Sequence, residues 1–291
     1  MIKTLTNYLK KLIIVPTKKT IDYIEELDKT TGKKIKYIKY KYDGETIDYI
    51  NEYDKDDGQL MKTTYYNYDE KTIDREIEIV KDTGNTKTTK YKNNGTIINY
   101  ISEVDKNTGQ TVKYIKYKYN KHNENIIDYI EEYDKDTGKK VKYIEYRYNK
   151  YNKNIIDYIE EFDKDTEKLV KKTDYKYCYA ETTIDYTVEI QYDQTTGKII
   201  KQTHYRDDRT IRYISKHDKK TGKLVERTNY KSDGKTIYFI EKYDQETEKK
   251  VKETTYRSNG KTIDYIEEFD KDTGEPVKTT YFFPDEKKFG L

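Results

Sequence analysis

The chain has no tryptophan, one cysteine (Cys178), one alanine (Ala180) and three prolines in 291 residues. A single thiol excludes an internal disulfide framework and a cysteine-built zinc site. No apolar run approaches the ~20 residues of a membrane-spanning helix, so no transmembrane segment is expected. With 33% hydrophobic residues against 39% charged, a deep aliphatic core is excluded as well. Charge of one sign is also missing: 58 Lys and Arg stand against 55 Asp and Glu, a net of +3, and no basic block stands alone. That is no electrostatic footprint for a phosphate backbone, and nucleic acid is not an expected partner.

What the chain has instead is tyrosine, 35 residues of it. A mean hydropathy of −1.20 would otherwise suggest disorder. The tyrosines, however, recur in a fixed phrase. Thr20-Ile21-Asp22-Tyr23-Ile24-Glu25-Glu26 returns ten times, its first Ile at Ile21, Ile47, Ile73, Ile98, Ile127, Ile156, Ile184, Ile211, Ile237 and Ile263. The intervals are 26, 26, 25, 29, 29, 28, 27, 26 and 26 residues. Seven residues after that Ile there is usually Asp, as at Asp28 and Asp134, and eleven after it usually Gly, as at Gly32 and Gly138. A basic, Tyr-rich stretch follows, then a short link such as Asp43-Gly44. Self-similarity at such a period is the signature of a repeat architecture. The array spans residues 20–283, between an N-terminal cap segment at 1–19 and a C-terminal tail at 284–291.

Each repeat reads as strand–turn–strand or as helix–strand. The seventh repeat discriminates. It carries two extra residues between Ile184 and Gly197, and in Ile184-Asp185-Tyr186-Thr187-Val188-Glu189-Ile190 every second residue is apolar. Two inserted residues preserve sidedness in a strand but rotate a helix by about 200°. The richness in Ile, Tyr and Thr points the same way. The fold class is therefore all-β: tandem β-hairpins in one long, twisted antiparallel meander, a coiled or solenoid-like sheet. Strands of about ten residues are expected. In the cap segment, Ile2, Leu5, Leu9 and Leu12 share one side of a short amphipathic helix, covering the end of the array or lying on a membrane surface. Leu12 to Val15 is too short for the ~7–15 apolar residues of a signal core, which leaves the cytoplasm as the default compartment.

The turns set the register. Asp134 and Lys139 flank a four-residue loop in which Gly138 supplies φ > 0, and Asp43-Gly44 suits a two-residue type I′ turn. Counting outward, Ile21 faces Tyr40, Tyr40 faces Ile47, Tyr23 faces Ile38, Glu25 faces Lys36 and Asp22 faces Lys39. This arrangement closes without drift. A competing one, with three-residue bulged loops at both turns, drifts by two residues per repeat. In the undrifted register Ile21, Tyr23, Leu27, Ile38 and Tyr40 share one face, and Ile24, Ile35 and Tyr37 form a narrower stripe on the other. Acidic first strands alternate with basic second strands, and Glu–Lys and Tyr–Ile or Tyr–Thr pairs contribute roughly 0.2–1 kcal/mol each.

The string Thr-Ile-Asp-Tyr-Ile-Glu-Glu-Tyr-Asp-Lys-Asp-Thr-Gly-Lys resembles an uncharacterised tandem-repeat family of phytoplasmas, a domain of unknown function. Heavy use of Lys, Ile, Asn and Tyr fits the AT-rich genomes of such organisms. Ile97, Ile126 and Ile155 replace the leading Thr in three repeats. The resemblance implies no activity and carries no catalytic residue over. More loosely, the Tyr-Asp…Gly rhythm is similar to the YD repeats of bacterial toxin shells, without their Gly-Arg signature.

Candidate chemistry is thin. Asp134-Lys135-Asp136-Thr137-Gly138 has alternate carboxylates, as a calcium loop does, but lacks the remaining ligands, and the second Asp becomes Thr30, Asn107, Lys220 or Glu246 elsewhere. Turn chemistry explains it better. Cys178 reads as a strand residue with no His nearby in sequence, and His122, His204 and His217 occupy unrelated repeat positions. A hydrolase centred on Cys178 or His204 is the remote alternative. Glu25 and Glu26 point to opposite faces of a strand, which argues against joint acid–base work. No phosphate-cradling Gly loop is present. No catalytic, cofactor or metal residue is assigned, and no enzyme is expected. The expectation is a scaffold presenting a long surface to another protein, of host or bacterium, with a carbohydrate- or polymer-binding module using exposed Tyr rows as the alternative.

Overall fold

The structure is a computed structural model and describes residues 8–15, 20–69, 71–92, 95–119, 125–148, 154–178 and 183–283. Among these there are 21 strands and no helix, as the repeat pattern requires. Two compact units divide the chain, residues 1–140 and 141–291. The first holds β1 (Tyr8–Val15), β2 (Thr20–Asp28), β3 (Lys34–Tyr40), β4 (Ile47–Tyr53) and β5 (Leu60–Tyr66). It continues with β6 (Ile73–Ile79), β7 (Thr86–Tyr91), β8 (Ile98–Val104), β9 (Thr111–Tyr119) and β10 (Asn125–Tyr133). The second holds β11 (Lys140–Tyr148), β12 (Asn154–Phe162), β13 (Leu169–Tyr177), β14 (Ile184–Tyr192), β15 (Ile199–Tyr205) and β16 (Ile211–His217). It ends with β17 (Leu224–Tyr230), β18 (Ile237–Tyr243), β19 (Lys250–Tyr256), β20 (Ile263–Phe269) and β21 (Pro276–Tyr281). Within each unit every strand pairs antiparallel with its neighbours in sequence. The strands are six to nine residues long rather than ten, because the loops take more of the chain.

The described part of the cap segment is a strand and not a helix. β1 lies against β2, with Lys10 opposite Glu26 and Lys11 opposite Glu25. An isolated helix this short is marginal in water. The open side of an acidic strand offers a ladder of backbone bonds and two opposite charges instead, and Ile13-Ile14-Val15 suits a strand. Residues 1–7, 16–19 and the tail 284–291 lie outside the described residues.

The register differs from straight counting by one feature. Beside the turns the expected partners meet, as at Tyr40 opposite Ile47. One step further in, each strand takes an extra residue. Leu27 faces Lys34 but Glu26 faces Lys36, so Ile35 is a bulge; Tyr40 faces Ile47 but Lys39 faces Tyr49, so Asp48 is a bulge. The body of each strand is thereby displaced by one. Tyr23 faces Lys39 and not Ile38, Ile24 faces Ile38, and Glu25 faces Tyr37 and not Lys36. The two displacements of a repeat cancel, so the array does not drift. The 25-residue repeat confirms the mechanism: between β6 and β7 the ladder runs from Ile79–Thr86 to Arg75–Lys90 without irregularity, and the missing residue is the bulge.

The link turn is also corrected. Lys41 N donates to Thr46 O at 2.7 Å and Gly44 N to Lys41 O at 2.9 Å, closing four residues rather than two. Gly44 has φ +73° while Asp43 is not in the left-handed region, which a type I′ turn would demand at both positions. The flanking register is the same for either loop. At the other turn the expected geometry is present, with Asp134 N to Lys139 O at 2.9 Å and Gly138 N to Asp134 O at 2.8 Å.

Each unit is a single layer. Among the described residues, Ile126, Ile130, Ile144 and Val188 are the buried aliphatics, against eight buried threonines including Thr64, Thr89 and Thr203. One face carries a central row of Ile and Thr, such as Ile24, Ile38, Ile50 and Thr64. Beside it runs a charged row: Lys10, Glu26, Lys36, Glu52, Lys62, Glu78, Lys87, Glu103, Lys113 and Glu132 alternate in sign across all ten strands of the first unit. The other face carries the Tyr23, Tyr37 and Tyr49 rings, so Tyr37 joins Tyr23 and Ile38 joins Ile24, contrary to the unbulged count.

The glycines of the two loops should respond differently. Gly197 and Gly234 have φ +70° and +68°. An added methyl meets nothing within 4 Å at Gly197, but at Gly234 it would lie 2.7 Å from Ile211 N and 2.8 Å from Thr210 Cβ, in the neighbouring link. Gly197→Ala is expected to cost about 1–2 kcal/mol from backbone strain, and Gly234→Ala more. Glu248 occupies the turn-glycine position at φ 62°, and Glu248→Gly is expected to stabilise by about 1 kcal/mol. Urea unfolding followed by circular dichroism checks the order; equal losses at the two glycines would refute the packing account.

Candidate functional site

The face with the continuous aromatic row is the strongest candidate. Tyr23 stacks on Tyr37 with centroids 5.1 Å apart, Tyr37 lies 6.0 Å from Tyr49, and Tyr49 lies 5.7 Å from Tyr65. The Arg75 guanidinium ends this run 4.1 Å over Tyr65. Tyr100, Tyr114 and Tyr129 continue the pattern at 5.4 and 6.1 Å. In the second unit Tyr143 and Tyr158 lie 6.0 Å apart, with Lys172 4.3 Å over Tyr158. All these rings are half-buried. They fill the place of a core without a second layer to close it. Offset and tilted contacts of this kind add about 0.5–1.5 kcal/mol per pair beyond area burial.

The bulge gives the recurrent Asp its role. Asp22 is the extra residue of β2, and its carboxylate reaches Lys39 at 2.5 Å although Lys39 faces Tyr23. Asp74 reaches Lys90 at 2.5 Å in the same way, whereas Asp128 reaches Lys118 at 2.6 Å and Asp157 reaches Arg147 at 3.1 Å on the partner strand of the bulged ladder itself. Strand tyrosines donate to acids on the sheet: Tyr91 to Glu76 at 2.8 Å and Tyr133 to Glu131 at 2.7 Å. Burial, then the Glu76 bond, pushes the Tyr91 phenol up to about 12. Such phenols are neutral donors at neutral pH.

The remaining sequence candidates resolve into structural roles. Asp134 Oδ1 accepts from Asp136 N (3.1 Å), Thr137 N (2.8 Å) and Thr137 Oγ1 (3.0 Å), so its lone pairs serve the turn. Cys178 lies just past β13 rather than within a strand, and Thr183 Oγ1 donates to its sulfur at 3.2 Å. His204 lies in β15, opposite Val188 of β14. Strand spacing puts it roughly 16 Å from Cys178, across two ladders and four residues along, too far for a nucleophile and its base. His217 ends β16 with Nδ1 3.1 Å from Gly222 O, and His122 lies outside the described residues. Glu25 and Glu26 do diverge: Glu25 pairs with Lys34 at 2.8 Å and Glu26 with Lys10 at 3.5 Å. Among the described residues no three His, Cys, Asp or Glu are grouped to hold a metal, and no helix is long and apolar enough to cross a membrane.

The turn carboxylates imply acid sensitivity. The Thr31 N–H, then its hydroxyl, holds Asp28 below the usual 3.8; Asp193, Asp218, Asp244 and Asp270 are held down likewise by the Thr three residues on. At the link turn the Thr236 hydroxyl, then the N–H groups of Lys235 and Thr236, holds Asp233 at about 2. A folded pKa below the unfolded one stabilises fully above pH 3.8, and that contribution disappears as pH falls through the folded value. The thermal midpoint by circular dichroism should be flat from pH 7 to about 5 and fall between about 4 and 2. An unchanged midpoint at pH 2.5 would remove these carboxylates as stabilising groups.

Solved structures similar to this chain include a mutant of S. aureus TarM in complex with fondaparinux, alpha-GlcNAc-glycerol and UDP (12% identity, 42% of this chain and 21% of that one, TM-score 0.29). A mutant Photorhabdus luminescens Tc holotoxin pore matches 94% of this chain and 15% of that one at 12% identity, TM-score 0.21. A porin-like protein from Bacteroides uniformis matches 68% and 94% at 10% identity, TM-score 0.21. The chain thus spans about a fifth of the TarM chain it matches. No curated protein matches the sequence. One family model matches in nine overlapping segments: 16–65, 43–91, 91–121, 119–174, 148–204, 177–229, 205–255, 230–281 and 256–288. A match repeating at the array's own period over nearly its whole length places the chain plainly: it belongs to the protein family of unknown function DUF2963.

Proposed function

We propose that the chain is a non-enzymatic scaffold, of the repeat type it resembles in phytoplasmas, whose tyrosine face presents an extended surface to another protein. The observation that supports this reading is the single layer. Each row of half-buried rings is continuous over several strands and has no covering element among the described residues. Ten strands spaced at ~4.8 Å and some seven residues wide give a face of roughly 43 by 23 Å, or about 1,000 Å². A standard protein interface needs about 800 Å² from each partner. The rings stack on one another at 5.1–6.0 Å, so they turn edges and hydroxyls outward. A sugar needs an open ring face, whereas mixed Tyr, Thr and Lys edges suit a protein partner.

The test compares the intact chain with a Tyr37→Ser/Tyr49→Ser variant, each immobilised and exposed to protein extracts and to a glycan array. A retained protein lost with the variant, with no glycan signal, is the expected outcome. A glycan signal abolished by the same variant would replace the reading with carbohydrate binding. Retention of the same proteins by both forms would take the tyrosine face out of it.

A further inference from the structure

The alternation of acidic and basic strands fails at one place. β15 and β16 are adjacent, and neither contains an acidic residue, which holds for no other pair of neighbouring strands among those described. The cause lies in the repeat beginning at Ile211. Arg212 stands where the phrase has Asp, Ser215 and Lys216 where it has Glu, and Glu226 on the next strand where it has Lys. On the Ile/Thr face the inversion is met on one side, where Lys216 pairs with Glu226 at 2.8 Å, while Lys201 stands opposite Lys216 on the other. It is not compensated on the tyrosine face. Arg212 is the bulge residue there, it is exposed, and no ion pair joins it to a described residue.

Around Arg212 is a cleft of about 260 Å³ lined by Tyr186, His204, Tyr205, Arg212 and Tyr213, with no carboxylate in its wall. The His204 ring stacks on Tyr213 at 4.0 Å and 24°. The Arg227 guanidinium lies 5.0 Å from the centroid of Tyr213, and its nearest carboxylate, on Glu241, is 3.8 Å away. Burial, then the charges of Arg227 and Arg212, keeps His204 below its usual 6.5, consistent with a locally positive field. At four other bulges, those of Asp22, Asp74, Asp128 and Asp157, the carboxylate is matched by a Lys or Arg. Here the cation has no matching anion, and aromatic walls stand beside it.

We propose that this cleft binds an oxyanion carried on a flat ring, an aryl phosphate or aryl carboxylate, with the Arg212 guanidinium fork taking the anionic group and Tyr186 and Tyr213 flanking the ring. A planar guanidinium matches both anions by paired N–H bonds, and tyrosine walls favour an aromatic over an aliphatic carrier. The inference does not rest on the scaffold reading, which concerns the whole face.

Calorimetric titration of the full chain at low salt with phenyl phosphate, benzoate, cyclohexyl phosphate and inorganic phosphate tests it. At least one aryl anion should bind ten or more times tighter than inorganic phosphate, and phenyl phosphate tighter than cyclohexyl phosphate; the better aryl probe identifies the source of the oxyanion. Arg212→Gln should weaken binding at least tenfold with an unchanged thermal midpoint, because the side chain is exposed, and Lys271→Gln on a distant turn should bind as the parent does. Equal binding of ring-bearing and ringless anions, no binding of either aryl probe, or undiminished binding by Arg212→Gln would each overturn the proposal.

Discussion

In a sheet one layer thick, a side chain finds its stabilising contacts only among its neighbours in the same plane. That constraint accounts for the composition. Aliphatic side chains gain most when enclosed from above, and only four aliphatics are buried among the described residues. Tyr, Lys, Glu and Thr gain sideways: rings against rings, ammonium against carboxylate, and methylene stems laid along their neighbours. Lys34, for instance, pairs with Glu25 at 2.8 Å while its ammonium lies 5.2 Å from the Tyr37 ring and 5.5 Å from Tyr53. A polar chain can therefore fold without a core, provided that every row stays in register over many strands.

Register is kept by paired irregularities. A bulge at Ile35 and another at Asp48 each displace the pairing by one, and together they restore it. The bulge also increases local twist and re-aims a side chain. That re-aiming lets Asp22 reach Lys39 while Tyr23 occupies the position opposite. The recurrent Asp of the phrase is thus set by the bulge, not by a straight ladder. Most of the described loops are then locked by an Asp accepting from the residues two and three ahead, as Asp28 does from Thr30 and Thr31, and Asn259 does the same at its link. Local turn chemistry and long-range pairing agree, which is what a repeat needs to fold to one structure.

Much of this was legible in the residues, for identifiable reasons. The period, the strand assignment and the four-residue loop follow from spacing, from the two-residue insertion after Tyr186, and from a glycine at the left-handed position. The bulges were not legible because both turns remain centred where straight counting puts them, so Tyr40 still meets Ile47. A signal existed in the 25-residue repeat: it keeps its turn at Gly84 and its strand Thr86 to Tyr91, yet is one residue short between them, which marks that residue as outside the ladder. The N-terminal strand was missed because Leu9 and Leu12 fit a helical stripe as well as they fit a strand. Only the neighbouring acidic strand, which Lys10 and Lys11 match, separates the two.

In such an array, departures from the phrase sort themselves by whether a neighbour answers them. Lys216 is answered by Glu226, which Lys242 also faces. Lys201 and Lys252 stand opposite Lys216 and Lys242 on the outer sides, so the inversion is balanced only around Glu226. Glu76, in a row otherwise of Ile and Thr, is answered by Lys62 at 2.6 Å and by the Tyr91 hydroxyl. Changes of this kind preserve the sheet and say little about function. A departure with no answer contributes no charge pair to the ladder, and Arg212 stands among aromatic rings with no ion pair to a described residue. Arg212 is such a residue on the tyrosine face, and the proposed oxyanion is the partner that the described strands do not supply.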